Sequence, residues 1–196
     1  WLVDCPPADF KTMPKVKNRV ANVKNTRLSS TRNATKKLAS TPMLFGEIRQ
    51  PSRKFIAIPE VSSGNRFYIP IGFLPPQTIV TNKLYTISGG TLYHFGITQS
   101  LMHMSWTRAI TGRLKSDYQY SSGLVYNNFP WPLNPKDKQK SNIEAKAQAV
   151  LDARGTFSGS TLADLYDPLT MPPVLLKAHQ ALDKAVDAAY SKKSFK

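Results

Sequence analysis

The pattern of apolar and polar positions changes character twice along the chain. In residues 1–45, Val16, Val20 and Val23 recur at helical spacing between Lys15, Lys17, Arg19 and Lys24, which predicts a basic amphipathic helix. A second short helix is expected over residues 32–38, ahead of the break at Ser40, Thr41 and Pro42. From Phe45 to Pro132 short β-rich runs take over, at residues 54–59, 66–71, 78–80 and 84–87, bounded by Gly, Pro or Asn. Ser62, Ser63, Gly64 and Asn65 read as a hairpin or loop tip. Residues 92–110 read as one helix with Phe95, Met102, Trp106 and Ile110 broadly on one face.

The most informative run follows the Gly112 break. Strict alternation places Lys115, Asp117, Gln119 and Ser121 on one side, and Leu114, Tyr118 and Tyr120 on the other. One side is built to pack and the other offers hydrogen-bonding groups. Beyond residue 135 the helical period returns. Ser141 and Asn142 are expected to cap a helix whose shared face is Ile143, Ala147, Val150 and Leu151 and which ends at Gly155. Residues 166–173 read as a rigid linker, and Pro173 pre-sets the first turn of a last helix buried through Leu175, Ala178, Leu182, Ala185 and Ala189. The expected fold class is therefore α+β. A mixed strand and helix domain at 46–134 is flanked by a basic helical connector at 1–45 and a C-terminal helical domain at 135–196.

Charge narrows the partners. With 27 Lys and Arg against 12 Asp and Glu, the chain carries a formal +15, which suits a polyanion, and nucleic acid first. Two other readings stay open at this point: a nucleic-acid binder without base preference, and an architectural domain docked on acidic protein surface. Cys5 is alone, so no disulfide framework and no cysteine-rich zinc site can form within the chain, which fits a reducing cytoplasm. No run approaches the roughly 18 apolar residues of a membrane span, so no membrane partner is expected. The opening Trp1-Leu2-Val3-Asp4 lacks an initiator Met and the features of a secretory signal, and reads as the start of a piece of a longer protein.

Catalytic and metal signatures are not found: no Gly-rich phosphate loop, no His-Glu-x-x-His, no Cys pair and no Gly-x-Ser-x-Gly elbow. His94 and His103 have no partner spacing that argues for metal. Asp164 and Asp167, beside Pro168, read as capping or solvated groups. Within residues 46–134 Asp117 is the only acidic residue after Glu60, so no catalytic residue is assigned. Lys115 and Asp117 suit another task. A lysine donates to guanine O6 and N7, while an aspartate accepts from N4 of the paired cytosine. An ordinary ion pair on a strand face is the competing explanation.

Six segments carry a family resemblance: Ile58-Pro59-Glu60-Val61-Ser62-Ser63; residues 66–74, beginning Arg66-Phe67-Tyr68-Ile69-Pro70; Leu92-Tyr93-His94-Phe95-Gly96; Gly112-Arg113-Leu114-Lys115-Ser116-Asp117-Tyr118; Tyr126-Asn127-Asn128-Phe129-Pro130-Trp131-Pro132; and residues 163–173, Ala163-Asp164-Leu165-Tyr166-Asp167-Pro168 through Pro173. They closely resemble the C-terminal part of MmeI-like adenine-specific DNA methyltransferases, large bacterial modification and restriction enzymes in which one chain methylates, and often cuts, DNA. The resemblance extends over nearly the whole chain. It implies a parent ordered as nuclease, methyltransferase, target-recognition domain and C-terminal helical domain, of which this chain is the last two and a connector. The implied partners are double-stranded DNA and the methyltransferase domain of the same parent, in a bacterial cytoplasm. S-adenosylmethionine, and magnesium where the parent also cuts, are implied for the parent and no cofactor for this chain. The family's Asn-Pro-Pro-Phe or Tyr tetrapeptide is missing, since Leu74-Pro75-Pro76-Gln77 and Met171-Pro172-Pro173-Val174 lack both the polar and the aromatic residue.

The resemblance further implies that Lys115 and Asp117 act as a pair setting the base just beyond the methylated adenine, a Lys with an Asp going with guanine. On physical grounds alone, Gln119 and Ser121 join them on the reading face. Arg108 and Arg113 are expected on phosphate or base, and Ser62, Ser63, Asn65 and Arg66 in a loop facing DNA. Phe129 and Trp131 are expected to anchor the crossing between domains.

Overall fold

Proline sets where the first helices begin. In the computed structural model, which describes residues 2–191, α1 (Pro7–Lys11) and α2 (Pro14–Leu28) both start with Pro in the first turn, where its missing N–H costs nothing. α3 (Asn33–Lys37) runs into a single 3₁₀ turn at 38–40. The arginine near the end of α2 gathers the strand-free chain beyond: Arg27 Nη1 donates to the carbonyls of Leu38 (2.8 Å) and Thr41 (2.9 Å), and Nη2 to that of Leu44 (2.7 Å). Both expected helices are present. Their apolar stripe is not a core, because no residue of α1, α2 or α3 is buried. These elements form one compact unit, and a second begins at Gln50.

The second unit is built on β1 (Phe55–Pro59), the centre of an antiparallel sheet between β3 (Gly72–Leu74) and β4 (Leu84–Ser88). Phe55, Ile56, Ala57 and Ile58 are all buried, which is why this strand is a continuous apolar run with no alternation. A second three-stranded sheet has the order β2-β6-β5, from β2 (Val61–Ser62), β5 (Gly112–Leu114) and β6 (Asp117–Gln119). Glu60 joins the two sheets through its backbone. Its N–H donates to the Lys83 carbonyl (2.9 Å) and its own carbonyl accepts from the Tyr120 N–H (2.7 Å).

Several expected elements come out differently. Residues 66–71 are not a strand; Tyr68, Ile69 and Ile71 are buried as irregular chain, with the Ile69 and Ile71 carbonyls taken by side chains, and Pro70 has no N–H to offer a ladder. Residues 78–80 form no strand either, and Thr78 closes a turn onto the Pro75 carbonyl. The helix expected over 92–110 is two, α4 (Leu92–Thr98) and α5 (Leu101–Ile110), because the Ser100 hydroxyl accepts the His103 N–H (3.3 Å) and caps a new helix. The alternation at 114–121 is a hairpin and not one strand. Leu114 pairs with Asp117, leaving Lys115 and Ser116 as a two-residue turn.

The C-terminal helices complete the same core. α6 (Asp137–Gly155) starts before Ser141 and Asn142, with the Lys136 N–H held by Gln139 Oε1 at 2.8 Å, and it ends at Gly155 as expected. After the one-turn α7 (Leu162–Leu165), α8 (Pro173–Tyr190) begins at the expected proline. α6 packs along α8 and against α4. Gly96 makes the α4 contact possible: a Cβ there would lie 2.7 Å from Ile143 Cγ2 and 3.3 Å from Ala147 Cβ. Ile143, Ala147, Val150, Leu175 and Leu182 thus share one core with Ile56, Ile58 and Phe95. Phe129 is buried in it, edge-on to His103 and Trp131.

Candidate nucleic-acid interface

The hairpin turn is tight because Lys115 takes a positive φ of 58°. A non-glycine residue there costs about 1 kcal/mol or more, and hairpins of this length usually place glycine, asparagine or aspartate at such a position. The lysine is exposed at the tip, and among the described residues it has no hydrogen-bond or ion-pair partner. Asp117 follows at the base of the turn, half-buried, with Oδ1 accepting the Gly64 N–H at 3.2 Å. That bond brings the turn after β2 against the hairpin. Gly64 is needed at the contact, since a Cβ would lie 2.5 Å from the Ser116 carbonyl oxygen.

Arg113 stiffens the hairpin from its other strand. Its guanidinium lies 3.9 Å from the Tyr118 ring centroid and donates to the Ser116 carbonyl at 3.1 Å. The side chain remains exposed. Gln119 is exposed on β6, opposite Gly112 on one side and Val61 on the other. Its carbonyl accepts the Thr111 hydroxyl. Arg108, exposed on α5, donates to the Arg66 carbonyl at 3.5 Å. Ser63 and Asn65 form the turn itself, with the Ser63 carbonyl accepting the Arg66 N–H (3.2 Å) and its hydroxyl the Asn65 N–H (3.4 Å).

Two of the sequence candidates stand apart from this cluster. Ser62 is a β2 residue only 2% exposed, facing inward beside Tyr118. Ser121 has left the strand; half-buried, it caps the single π-type turn at residues 122–126 by accepting the Leu124 N–H at 3.4 Å. The structure thus gathers Ser63, Asn65, Arg113, Lys115, Asp117 and Gln119, with Arg66 and Arg108 on the adjoining stretch, while Ser62 is buried in β2 and Ser121 caps the turn at residues 122–126.

Sequence reasoning passed over two features. One is the ion pair between Lys83 Nζ and Glu60 Oε2 (2.8 Å), formed by the same two residues whose backbones bond at the joint between the sheets. These residues are far apart in sequence, so no local spacing signals the pair. The other is a buried polar chain. Arg154 donates to the Ile71 carbonyl (2.7 Å), to Gln99 Oε1 (2.9 Å) and through Nε to the Tyr166 hydroxyl (2.8 Å), which shares a hydrogen bond with His179 Nε2 (2.7 Å). Tyr68 stacks on His179 with centroids 4.0 Å apart and donates its hydroxyl to Asp183 Oδ2 at 2.7 Å. Burial pushes the His179 pKa down to about 3 and that of Asp183 up to about 6. His103, also stripped of water, falls to about 3 beside the Tyr120 hydroxyl, at 3.0 Å.

Exposed basic and hydrogen-bonding groups lie on a tight hairpin and its neighbouring turn, on an α+β scaffold in a chain of net charge +15, a surface whose chemistry suits a polyanion. The chain belongs to the MmeI family: residues 1–133 match the MmeI target recognition domain and residues 135–196 the MmeI C-terminal domain. It is 43% identical over 195 residues, the whole of this chain, to DNA methyltransferase A of Bacillus subtilis (strain 168), and covers 22% of that protein. Its fold superposes with a TM-score of 0.92, at 46% identity over 99% of this chain, on the solved structure of the type IIL restriction-modification enzyme MmeI in complex with DNA, of which it covers 26%. The chain therefore spans about a quarter of the length of the relatives it matches.

Proposed function

We propose that this chain reads the DNA sequence for a larger bacterial adenine-specific methyltransferase, one that also restricts DNA where a nuclease accompanies it. The observation that carries this reading is Lys115 at the hairpin tip. A strained turn position that glycine would occupy more cheaply instead holds an unpaired ammonium group, and strain kept at an exposed tip is the mark of a working residue. Asp117 stands next to it with one oxygen fixed by the Gly64 amide, so its carboxylate is oriented before any ligand arrives. Lysine on guanine O6 and N7, and the second Asp117 oxygen on cytosine N4, would together select one G·C pair. Likeness to a protein solved with DNA supports a duplex as the partner.

Gln119, Ser63 and Asn65 are the neighbouring hydrogen-bonding groups for further base edges. Arg66, Arg108 and Arg113 would meet phosphates, which set register without carrying sequence. The methyl-transfer step belongs to the rest of the parent, which would take the target adenine out of the stack. S-adenosylmethionine is assigned to that same part of the parent; among the described residues the buried carboxylate of Asp183 is already held by Tyr68 and by the Leu101 N–H at 2.8 Å. Among the described residues no three His, Cys, Asp or Glu gather to hold a metal ion, and no helix is long and apolar enough to cross a membrane.

The test is the charge-reversed pair Lys115→Glu with Asp117→Arg in the full-length parent. Sequencing methylated adenines in a host expressing it should show the guanine beyond the adenine replaced by cytosine. An unchanged target would remove the pair from base reading.

A further inference from the structure

The segment 66–71 leads away from the recognition turn and has no strand partner to fix it. Side chains from the helices hold it instead. The Arg66 carbonyl accepts from Arg108 Nη2 (3.5 Å), the Ile69 carbonyl accepts Gln99 Nε2 (2.9 Å), and the Ile71 carbonyl accepts Arg154 Nη1 (2.7 Å). Tyr68 gives its hydroxyl to Asp183, whose other oxygen takes the Leu101 N–H. Arg154 lies on α6 and Asp183 on α8, so two of these ties come from the C-terminal helices. Both residues are buried, as are Tyr68, Gln99 and His179 between them. The outer side of the same segment is open, with Phe67 48% exposed beside Arg66.

Buried ionic groups of this kind are a poor means of gaining stability, since apolar side chains of equal volume often do as well. What they supply is one allowed placement: a fork of donors and a two-oxygen acceptor each accept a single geometry. Resting on the reading of the hairpin and turn as the DNA-contacting surface, we propose that Asp183 and Arg154 are positioning residues for sequence discrimination, the C-terminal helices fixing where the 63–66 turn meets the hairpin. They touch no base. They act through Tyr68 and the Ile71 carbonyl on the chain that carries Ser63, Asn65 and Arg66.

The experiment compares methylation by the full-length parent and its variants at cognate sites and at sites with one base pair changed, read across the genomic DNA of an expressing host. Tyr68→Phe and Asp183→Ala should each lower the cognate-to-mismatch ratio about tenfold, the discrimination a single base pair commonly supplies. Asp183→Asn should restore most of it, because the amide still accepts from Leu101 and can pair with the Tyr68 hydroxyl. Ile143→Val, which loosens the same helices without a hydrogen bond to 66–71, should leave the ratio unchanged at a comparable loss of Tm. If Tyr68→Phe and Asp183→Ala reduce methylation equally at both classes of site, the positioning role is overturned while the reading function stands. If the wild-type parent itself shows no sequence preference, the reading function falls as well.

Discussion

The Gly64 amide donates to Asp117 Oδ1 at 3.2 Å, joining residues 53 positions apart in sequence and locking the turn after β2 against the hairpin tip. The same contact leaves no room for a side chain on Gly64, so the fit of the turn against the hairpin hinges on an absent Cβ.

Gly64→Ala forces the Ser116 backbone to move and should lower cognate DNA affinity of the parent about tenfold or more, while Gly159→Ala, which meets open space, should change nothing. Fluorescence anisotropy with a cognate duplex checks both. Equal affinity for wild type and Gly64→Ala would show that the turn and hairpin do not act as one surface.

Lys115→Gly relieves the left-handed strain at φ 58° and should raise the hairpin's local stability by about 1 kcal/mol, read as slower amide exchange in β5 and β6. It should abolish discrimination at the guanine. A variant both more stable and less selective would separate the strain from the proposed reading role.

Arg108→Ala should weaken binding to cognate and unrelated duplexes alike and reduce the salt slope by about one phosphate contact. Its single long hydrogen bond to the Arg66 carbonyl makes a large loss of stability unexpected. Titrations at several salt concentrations decide it, and a loss confined to the cognate sequence would move Arg108 from the backbone to a base.

Acid should loosen the second unit. His103 and His179 sit near pKa 3 when folded against 6.5 in the unfolded chain, so the unfolded state binds protons that the native state refuses, and stability falls as pH drops below about 6.5. Asp183 works the other way, since its folded value near 6 exceeds 3.8 and acidification between about 6 and 4 adds stability. Two histidines outweigh one aspartate. Between pH 6.5 and 5.5 the net loss should be on the order of 1 kcal/mol, measured as opening free energies of α5 and α8 amides by hydrogen exchange in the parent. His103→Gln, which can keep a bond to the Tyr120 hydroxyl, should reduce that loss by more than half.

Periodicity and proline placement are local properties, and they sufficed for α2, α3, α8, β1 and the end of α6. They also marked Lys115, Asp117 and Gln119 as hydrogen-bonding residues beside packed Tyr118 and Tyr120. Only tertiary structure decided that Lys115 sits on a turn, that Ser62 faces inward and Ser121 caps, and that 66–71 is held by side chains. Each outcome depends on partners distant in the chain: Gly64 against Ser116, Arg154 against Ile71, Tyr68 against Asp183. A residue's own sequence neighbourhood fixes which conformations are cheap, whereas burial and pairing across the fold choose among them, because an unpaired polar group out of water costs more than a local propensity can return.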